Sequence, residues 1–347
     1  MELGTVILAA GEGTRMRSAL PKVLHPLCGR PLLAHVLAVA DALGAAETVA
    51  VLAADTVAQV RAAFGARYTY VVQSERLGTG HATLQARPAL RGRTDDVLVL
   101  LGDAPLVRPE TARAVVVRRR ESGALVALLS FEALPPTGYG RVVRDDAGHV
   151  TGLVEERNAT PEQRAITECN SGLMCFDAAW LWEALDRLGR NPVNGEYYLT
   201  DLVALAVADA GPGAALALLA ADPREALGVN DRAQLAEAEA VLRARLLGDL
   251  MRAGVSVVDP AATYLDVGVA VGRDTTLHPG TILRGATVVG AGCQIGPYTT
   301  LVDTQVGDGA RVRYTLVEGA VIAEGADVGP FAHLRAGGAE GEVPPQI

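Results

Sequence analysis

Cysteine is scarce in this chain and badly placed for a metal. Cys28, Cys169, Cys175 and Cys293 are the only four in 347 residues, and no two stand at ligand spacing. Free thiols in a reducing, cytoplasmic setting are the expectation. The six histidines, His25, His35, His81, His149, His278 and His333, also lack metal-binding neighbours in sequence. No apolar run is long enough to cross a bilayer, and the first residues lack the basic-then-apolar profile of a secretory signal. No membrane partner is therefore expected. A basic surface is missing too. Lys and Arg number 31 against 40 Asp and Glu, and the net charge of −9 argues against nucleic acid as a partner. Local phosphate binding stays open, through backbone N–H groups and a few cations.

What is present falls into two rhythms. The length suits two domains, and 50% of the residues are hydrophobic. In the first half, Thr5–Ala10, Thr48–Ala54, Thr69–Gln73, Asp96–Asp103 and Ala124–Phe131 read as buried strands, and Pro31–Ala45 as a helix ending at a glycine. Strands with helices between them predict an α/β fold with a mostly parallel sheet. Ligands in such sheets sit at the carboxyl ends of the strands. A glycine turn after Ala10 and the pair Gly102-Asp103 both fall there.

The second half repeats every six residues. Leu265, Val271, Leu277, Leu283, Val289, Ile295 and Leu301 keep that spacing. After a slip come Val306 and Val312, and after another Leu316, Ile322, Val328 and Leu334. Four places on, the chain carries small residues: Thr275, Thr281, Thr287, Cys293, Thr299, Ala320, Ala326 and Ala332. This period predicts a β-helix, with apolar side chains stacked along the axis and small ones at the corners. Asp231–Gly254 reads as one long helix joining the halves, with Asp231 at its N-cap and Gly254 as its stop.

The glycine turn lies in "LAAGEGTRM", Leu8–Met16. It lacks the Walker lysine, because Arg15 follows Thr14, and it lacks the third glycine of a dinucleotide fingerprint, because Met16 stands there. Taken alone, a glycine turn after a strand is first of all a tight turn. Its company raises it. Arg15 and the nearby Lys22 set two cations beside backbone donors, which suits a triphosphate that loses pyrophosphate.

The stretch "LAAGEGTRMRSALPKVLHPLCGRP" resembles the opening of the sugar-nucleotide pyrophosphorylases, and more narrowly the bacterial N-acetylglucosamine-1-phosphate uridylyltransferases. The likeness continues through "VVQSERLGTGHA", "LLGDAPL", "PTGYGRVV", "VEERNAT", "CNSGLMCF", "NGEYYLTDL" and "LGVNDRAQL", and then through the six-residue repeat, so that it spans residues 3 to about 335. The resemblance implies a Rossmann-like nucleotidyltransferase domain over 1–230, a linker helix over 231–254, a short left-handed parallel β-helix of hexapeptide repeats over 255–335, and an irregular tail over 336–347.

It also implies a reaction: UTP and N-acetylglucosamine 1-phosphate give UDP-N-acetylglucosamine and pyrophosphate, for cell-wall precursor synthesis. The sugar phosphate oxygen is already ionised, so positioning and charge neutralisation would carry catalysis without a general base. On this reading Leu8, Ala9, Ala10, Gly11 and Gly13 line the phosphates with Arg15 and Lys22, and Leu101 and Gly102 flank them. Mg²⁺ is expected on Asp103 and Asn230. Without the likeness, Asp103 would be a strand-end cap and Asn230 a helix cap competing with Asp231. Uracil recognition falls to Gln73 and the backbone of Leu77-Gly78-Thr79, since an amide matches the imide edge and Gly78 permits close approach. The bland alternative for Gln73 is an exposed strand end. Arg76 replaces a glutamine frequent in the family. Gly140, Glu155 and Asn170 would meet the sugar, with Tyr198 and Thr200 lining the same pocket; otherwise Glu155 is a solvated charge. His81 packs or hydrogen-bonds rather than catalyses.

Family members commonly carry an acetyltransferase on a longer β-helix. Arg335 matches an arginine of that second site, but its other residues would lie beyond residue 347, so the expectation is uridylyl transfer without acetyl transfer. A homotrimer through the β-helix is expected, with a monomer as the alternative. The rival readings are another nucleoside triphosphate or glucose 1-phosphate as substrate, or a non-catalytic UDP-sugar-binding scaffold.

Overall fold

A computed structural model describes residues 1–336; the tail read over 336–347 lies, apart from Ala336, outside the described residues. The chain divides into two compact units. One comprises Met1–His25 and Pro31–Leu235, and the other comprises Pro26–Arg30 and the chain from Ala236 onward. The division falls inside the long helix, Arg232–Arg252. The hairpin Pro26–Arg30 joins the second unit through Cys28, whose carbonyl accepts from Val267 N at 2.9 Å; sequence reasoning gave no sign of this. No helix among the described residues is long and apolar enough to cross a membrane.

The first unit is a mixed sheet with helices. Its strands are β1 (Leu3–Ala9), β2 (Glu47–Ala53), β3 (Thr69–Gln73), β4 (Asp96–Leu101), β5 (Val126–Glu132), β6 (Arg141–Arg144), β7 (Val150–Val154), β8 (Glu168–Asp177) and β9 (Ala215–Leu219). The main path runs β9-β5-β8-β4-β1-β2-β3, with β6 paired on β8 and β7 on β6. β4, β1, β2 and β3 are mutually parallel, as the alternating pattern predicts. They read as continuous apolar runs because both faces are covered: Val6, Ile7, Val49, Ala50, Val97 and Leu98 are all 0% exposed. β8 runs against β4 and β5, and no strand was expected there. The helix α1 (Leu32–Leu43) stops at Gly44, whose φ of 69° is left-handed. The helix α2 (Thr79–Leu84) begins inside the "LGTG" segment, and α3 (Pro109–Ser122) precedes β5.

The second unit is a parallel β-helix. Its short strands stack into three sheets, each strand paired in parallel with the one a full coil later, such as Leu265 on Leu283 and Leu283 on Leu301. Leu277, Leu283, Ile295, Leu301 and Val312 are fully buried along the axis. The buried threonines close the corners. Thr275, Thr281, Thr287, Thr299 and Thr304 each donate a hydroxyl to a carbonyl of the next coil, at 2.7 to 3.3 Å. That is why residues small enough for a corner, but able to hydrogen-bond, recur there.

One phase is corrected. Leu316 was read as the inward residue after the second slip; Val317 takes that place, 0% exposed and paired in register with Leu301. Two adjacent apolar residues satisfy a hydrophobic period equally well, and only the pairing decides between them. Val317→Ala is expected to lower stability by about 2 kcal/mol, and Leu316→Ala by well under half of that. Denaturant melts of the two variants check the order.

Candidate active site

Three strand ends converge on one edge of the sheet. β1 lies between β2 and β4, so the chain reverses its direction of growth at β1, and the crevice between the carboxyl ends of β1 and β4 is a switch point. β1 leads into the glycine turn, β4 into Gly102 and Asp103, and β3 ends at Gln73. The strand ends are stitched together: Gly102 N donates to Leu8 O at 2.9 Å. This brings Leu8, Ala9, Ala10, Leu101 and Gly102 together as expected.

The turn itself is shaped from beneath. Gly13 is left-handed (φ 61°), and a Cβ there would lie 2.7 Å from Lys22 Cβ, so the turn closes over Lys22 only with glycine. Gly11 is the opposite case. Nothing lies within 4 Å of where its Cβ would be, so the protein leaves that space open. Arg15 stands on a single 3-10 turn, Thr14–Met16, anchored by the buried Met16. Its exposed guanidinium makes no hydrogen bond or ion pair with any other described residue. Arg76 crosses the same turn, donating from Nε to Ala10 O at 3.2 Å and pairing with Glu12 at 2.7 Å. In sequence it stood out only as a departure near the base; its hold on the turn was not foreseen.

Lys22, Asp103 and Asn230 meet beside this turn. The Lys22 ammonium pairs with Asp103 Oδ2, and it donates to Asn230 Oδ1 at 3.2 Å. All three are largely shielded or half-buried, with the Lys22 and Asp103 side chains 10% and 22% exposed. The "GVND" segment is fixed to the strand end, since Val229 N donates to Asp103 O at 2.8 Å. The choice of cap resolves here. Asp231 Oδ1 accepts from Gln234 N at 2.9 Å and caps the helix, while the Asn230 side chain faces Lys22. Sequence reasoning sent Lys22 to the phosphates; the structure sets it between the two oxygens expected to bind metal.

On the base side, Gln73 is 5% exposed, which overturns the exposed strand-end alternative. Its Nε2 donates to Gly78 O at 3.1 Å and stands 3.0 Å from His81 Nδ1. Leu77–Thr79 is held against Tyr197–Leu199: Tyr197 N donates to Leu77 O at 2.8 Å, Gly80 N to Tyr197 O at 2.8 Å, and Leu199 N to Thr79 Oγ1 at 3.0 Å. Gly78 has φ 96°, and a Cβ there would come 2.6 Å from Tyr197 O, so this close approach requires glycine.

The sugar-side residues also assemble. A Cβ on Gly140 would stand 3.6 Å from both Glu155 carboxylate oxygens, and Asn170 N donates to Gly140 O at 2.9 Å. Thr200 Oγ1 donates to Glu155 at 3.0 Å, and Tyr198 OH accepts from Asn194 at 2.7 Å. Asn170 sits where the pairing of β8 with β5 is interrupted. Burial holds the Glu155 carboxyl above its usual range, against the pull of the Thr200 hydroxyl. The folded state therefore binds this proton more tightly than the unfolded one. The resulting stability is full below the unfolded value of about 4.5 and is lost as pH rises through the higher folded value. Glu155→Gln is expected to remove that slope and to raise the melting temperature at neutral pH, which melts from about pH 4 to about pH 8 would record.

Comparison with known proteins gives the family. Residues 5–168 match the MobA-like NTP transferase domain. The protein from Thermobifida fusca described as bifunctional protein GlmU is 49% identical over 323 residues, covering 91% of this chain and 66% of its own. The GlmU proteins of Heliobacterium modesticaldum and Halalkalibacterium halodurans are 44% and 43% identical, covering 96% and 95% of this chain and 72% of their own. The chain belongs to the GlmU family. It is a sugar-1-phosphate nucleotidyltransferase. The matched domain stops at residue 168, so Asn170, Tyr198, Thr200 and Asn230 fall outside it, and only the alignment with GlmU proteins extends that far.

Proposed function

We propose that this chain transfers the uridylyl group of UTP to N-acetylglucosamine 1-phosphate. A sugar phosphate oxygen forms a bond to the α-phosphorus, the bond from that phosphorus to the bridging oxygen breaks, and pyrophosphate leaves with the electron pair. UDP-N-acetylglucosamine, a cell-wall precursor, is the other product. The observation that carries this reading is the meeting of Lys22, Asp103 and Asn230 beside a glycine turn that is open at Gly11. The backbone of Leu8–Gly13 with Arg15 holds the phosphates and offsets the charge of the departing pyrophosphate. Gln73 with Leu77–Thr79 reads the base, and Gly140, Glu155, Asn170, Tyr198 and Thr200 bind the sugar.

The residues fit Mg²⁺. Asp103 and Asn230 are hard oxygen donors that already converge on one cation, the Lys22 ammonium. Asp103 and Asn230 would hold the ion, and when bound it would neutralise phosphate charge. A homotrimer through the β-helix belongs to the same reading, with a monomer as the alternative, and sedimentation decides. Four free and buried cysteines support a reducing, cytoplasmic setting.

Pyrophosphate release tests the reaction. The assay pairs UTP, CTP, dTTP or ATP with N-acetylglucosamine, glucosamine or glucose 1-phosphate, with Mg²⁺ or with chelator. UTP, the acetylated sugar and Mg²⁺ together are expected to be fastest. A faster pair of another kind overturns the substrate assignment, and binding of UDP-sugar with no turnover favours the scaffold.

A further inference from the structure

His81 is left over by the reaction: it lies two residues past Thr79 and touches none of the phosphate or metal ligands. Its ring nevertheless meets Gln73. Gly78 O can only accept, so the group of Gln73 that faces it at 3.1 Å is the amide NH₂. The same nitrogen stands 3.0 Å from His81 Nδ1, which must then accept its second hydrogen. A neutral imidazole has a single lone pair. The nitrogen of Gln85 also approaches the ring, but at 3.2 Å from Nε2, and it already donates to His81 O at 3.0 Å. Only one ring nitrogen can accept, and with the lone pair on Nδ1 the closer of the two contacts is the hydrogen bond.

Both hydrogens of the Gln73 amide are thus taken by the protein, and its Oε1 accepts from no described residue. The side chain can offer a ligand an acceptor and nothing else. The Watson–Crick edge of uracil has one donor, N3–H. Cytosine in the same place turns a lone pair on N3 towards that oxygen, leaving a repulsive contact in a shielded site.

We propose that His81 is a positioning residue that sets the orientation of the Gln73 amide and thereby selects uridine over cytidine triphosphate. This rests on the reading that Gln73 faces the base. Without the imidazole acceptor, one of two anchors remains, and the amide turns over more readily to present NH₂ to cytosine. His81 lines a cleft of about 270 Å³ together with Leu77, Leu84, Leu188 and Tyr197, so a leucine at position 81 has room.

The test compares kcat/KM for UTP and CTP in His81→Leu, His81→Asn and Gln73→Leu. His81→Leu is expected to lower the UTP to CTP ratio about tenfold, the size of one hydrogen bond, with KM for the sugar phosphate and the melting temperature little changed. His81→Asn, whose Oδ1 stands where Nδ1 stood, restores the ratio. A merely structural role would move melting and both nucleotides together. An unchanged ratio in His81→Leu, beside a collapsed ratio in Gln73→Leu, overturns the role of His81 alone. An unchanged ratio in Gln73→Leu overturns the base reading, and this inference with it.

Discussion

Replacing Asp103 with Ala is expected to slow pyrophosphate release by about a thousandfold, the scale of losing a principal charge-stabilising group. The fold should hardly notice. Asp103 follows a strand rather than lying within it, and its side chain is 22% exposed. The contact that secures the "GVND" segment uses the Asp103 backbone carbonyl, which alanine keeps. The side chain does what alanine cannot: with Asn230 it converges on a cation, the Lys22 ammonium, and holds it in the crevice. Melting should shift by no more than about 3 °C. Asp103→Asn, which keeps the shape without the charge, should fall between wild type and alanine. Turnover within tenfold of wild type in the alanine variant would remove Asp103 from the metal assignment.

The largest stability effect belongs elsewhere in the same unit. Asp96, at the start of β4, is 0% exposed and pairs with Arg119 at 2.5 Å and Arg120 at 2.6 Å. Arg119, 4% exposed on α3, reaches Asp177 at 3.2 Å as well. Asp96→Ala removes the cluster's fully buried carboxylate and leaves two guanidinium groups at the site, one of them buried. Breaking a buried pair from one side costs about 3–5 kcal/mol, because the remaining charge keeps its desolvation cost. The half-exposed pair Arg187–Asp209 has the same 2.5 Å separation, yet its loss is expected to cost far less, because water screens both charges. Urea melts of Asp96→Ala and Asp209→Ala give the comparison. A loss below about 1 kcal/mol for Asp96→Ala would show that the buried cluster is not what holds β4 to α3.

That cluster also marks where sequence reasoning stops. Arg118, Arg119 and Arg120 stand in a row with nothing in the sequence to tell them apart, yet Arg119 is buried, because a helix turns successive side chains 100° apart. The parallel strands were legible because burial on both faces turns them into apolar runs; Thr69–Gln73 matches at both ends. β8 was not, because glycine and asparagine interrupt it and strand direction leaves no trace in composition. The glycine turn and Asp103 were visible as a turn and a strand end. Asn230 was not visible from spacing at all: 208 positions separate it from Lys22, and only a family resemblance points to it.

The β-helix has a consequence for how its length can vary. Ile282 pairs with Thr300, and Thr300 with Leu316, so one coil takes eighteen residues and the next sixteen while every strand stays in register. The missing residues come out of the corners, where the backbone already bends, and none comes out of a strand. An insertion of one residue within a strand would turn its axis-facing side chain out to water. A whole added coil would change no side chain's direction. Growth of this unit is therefore quantised, by full coils along the axis or by single residues at its corners.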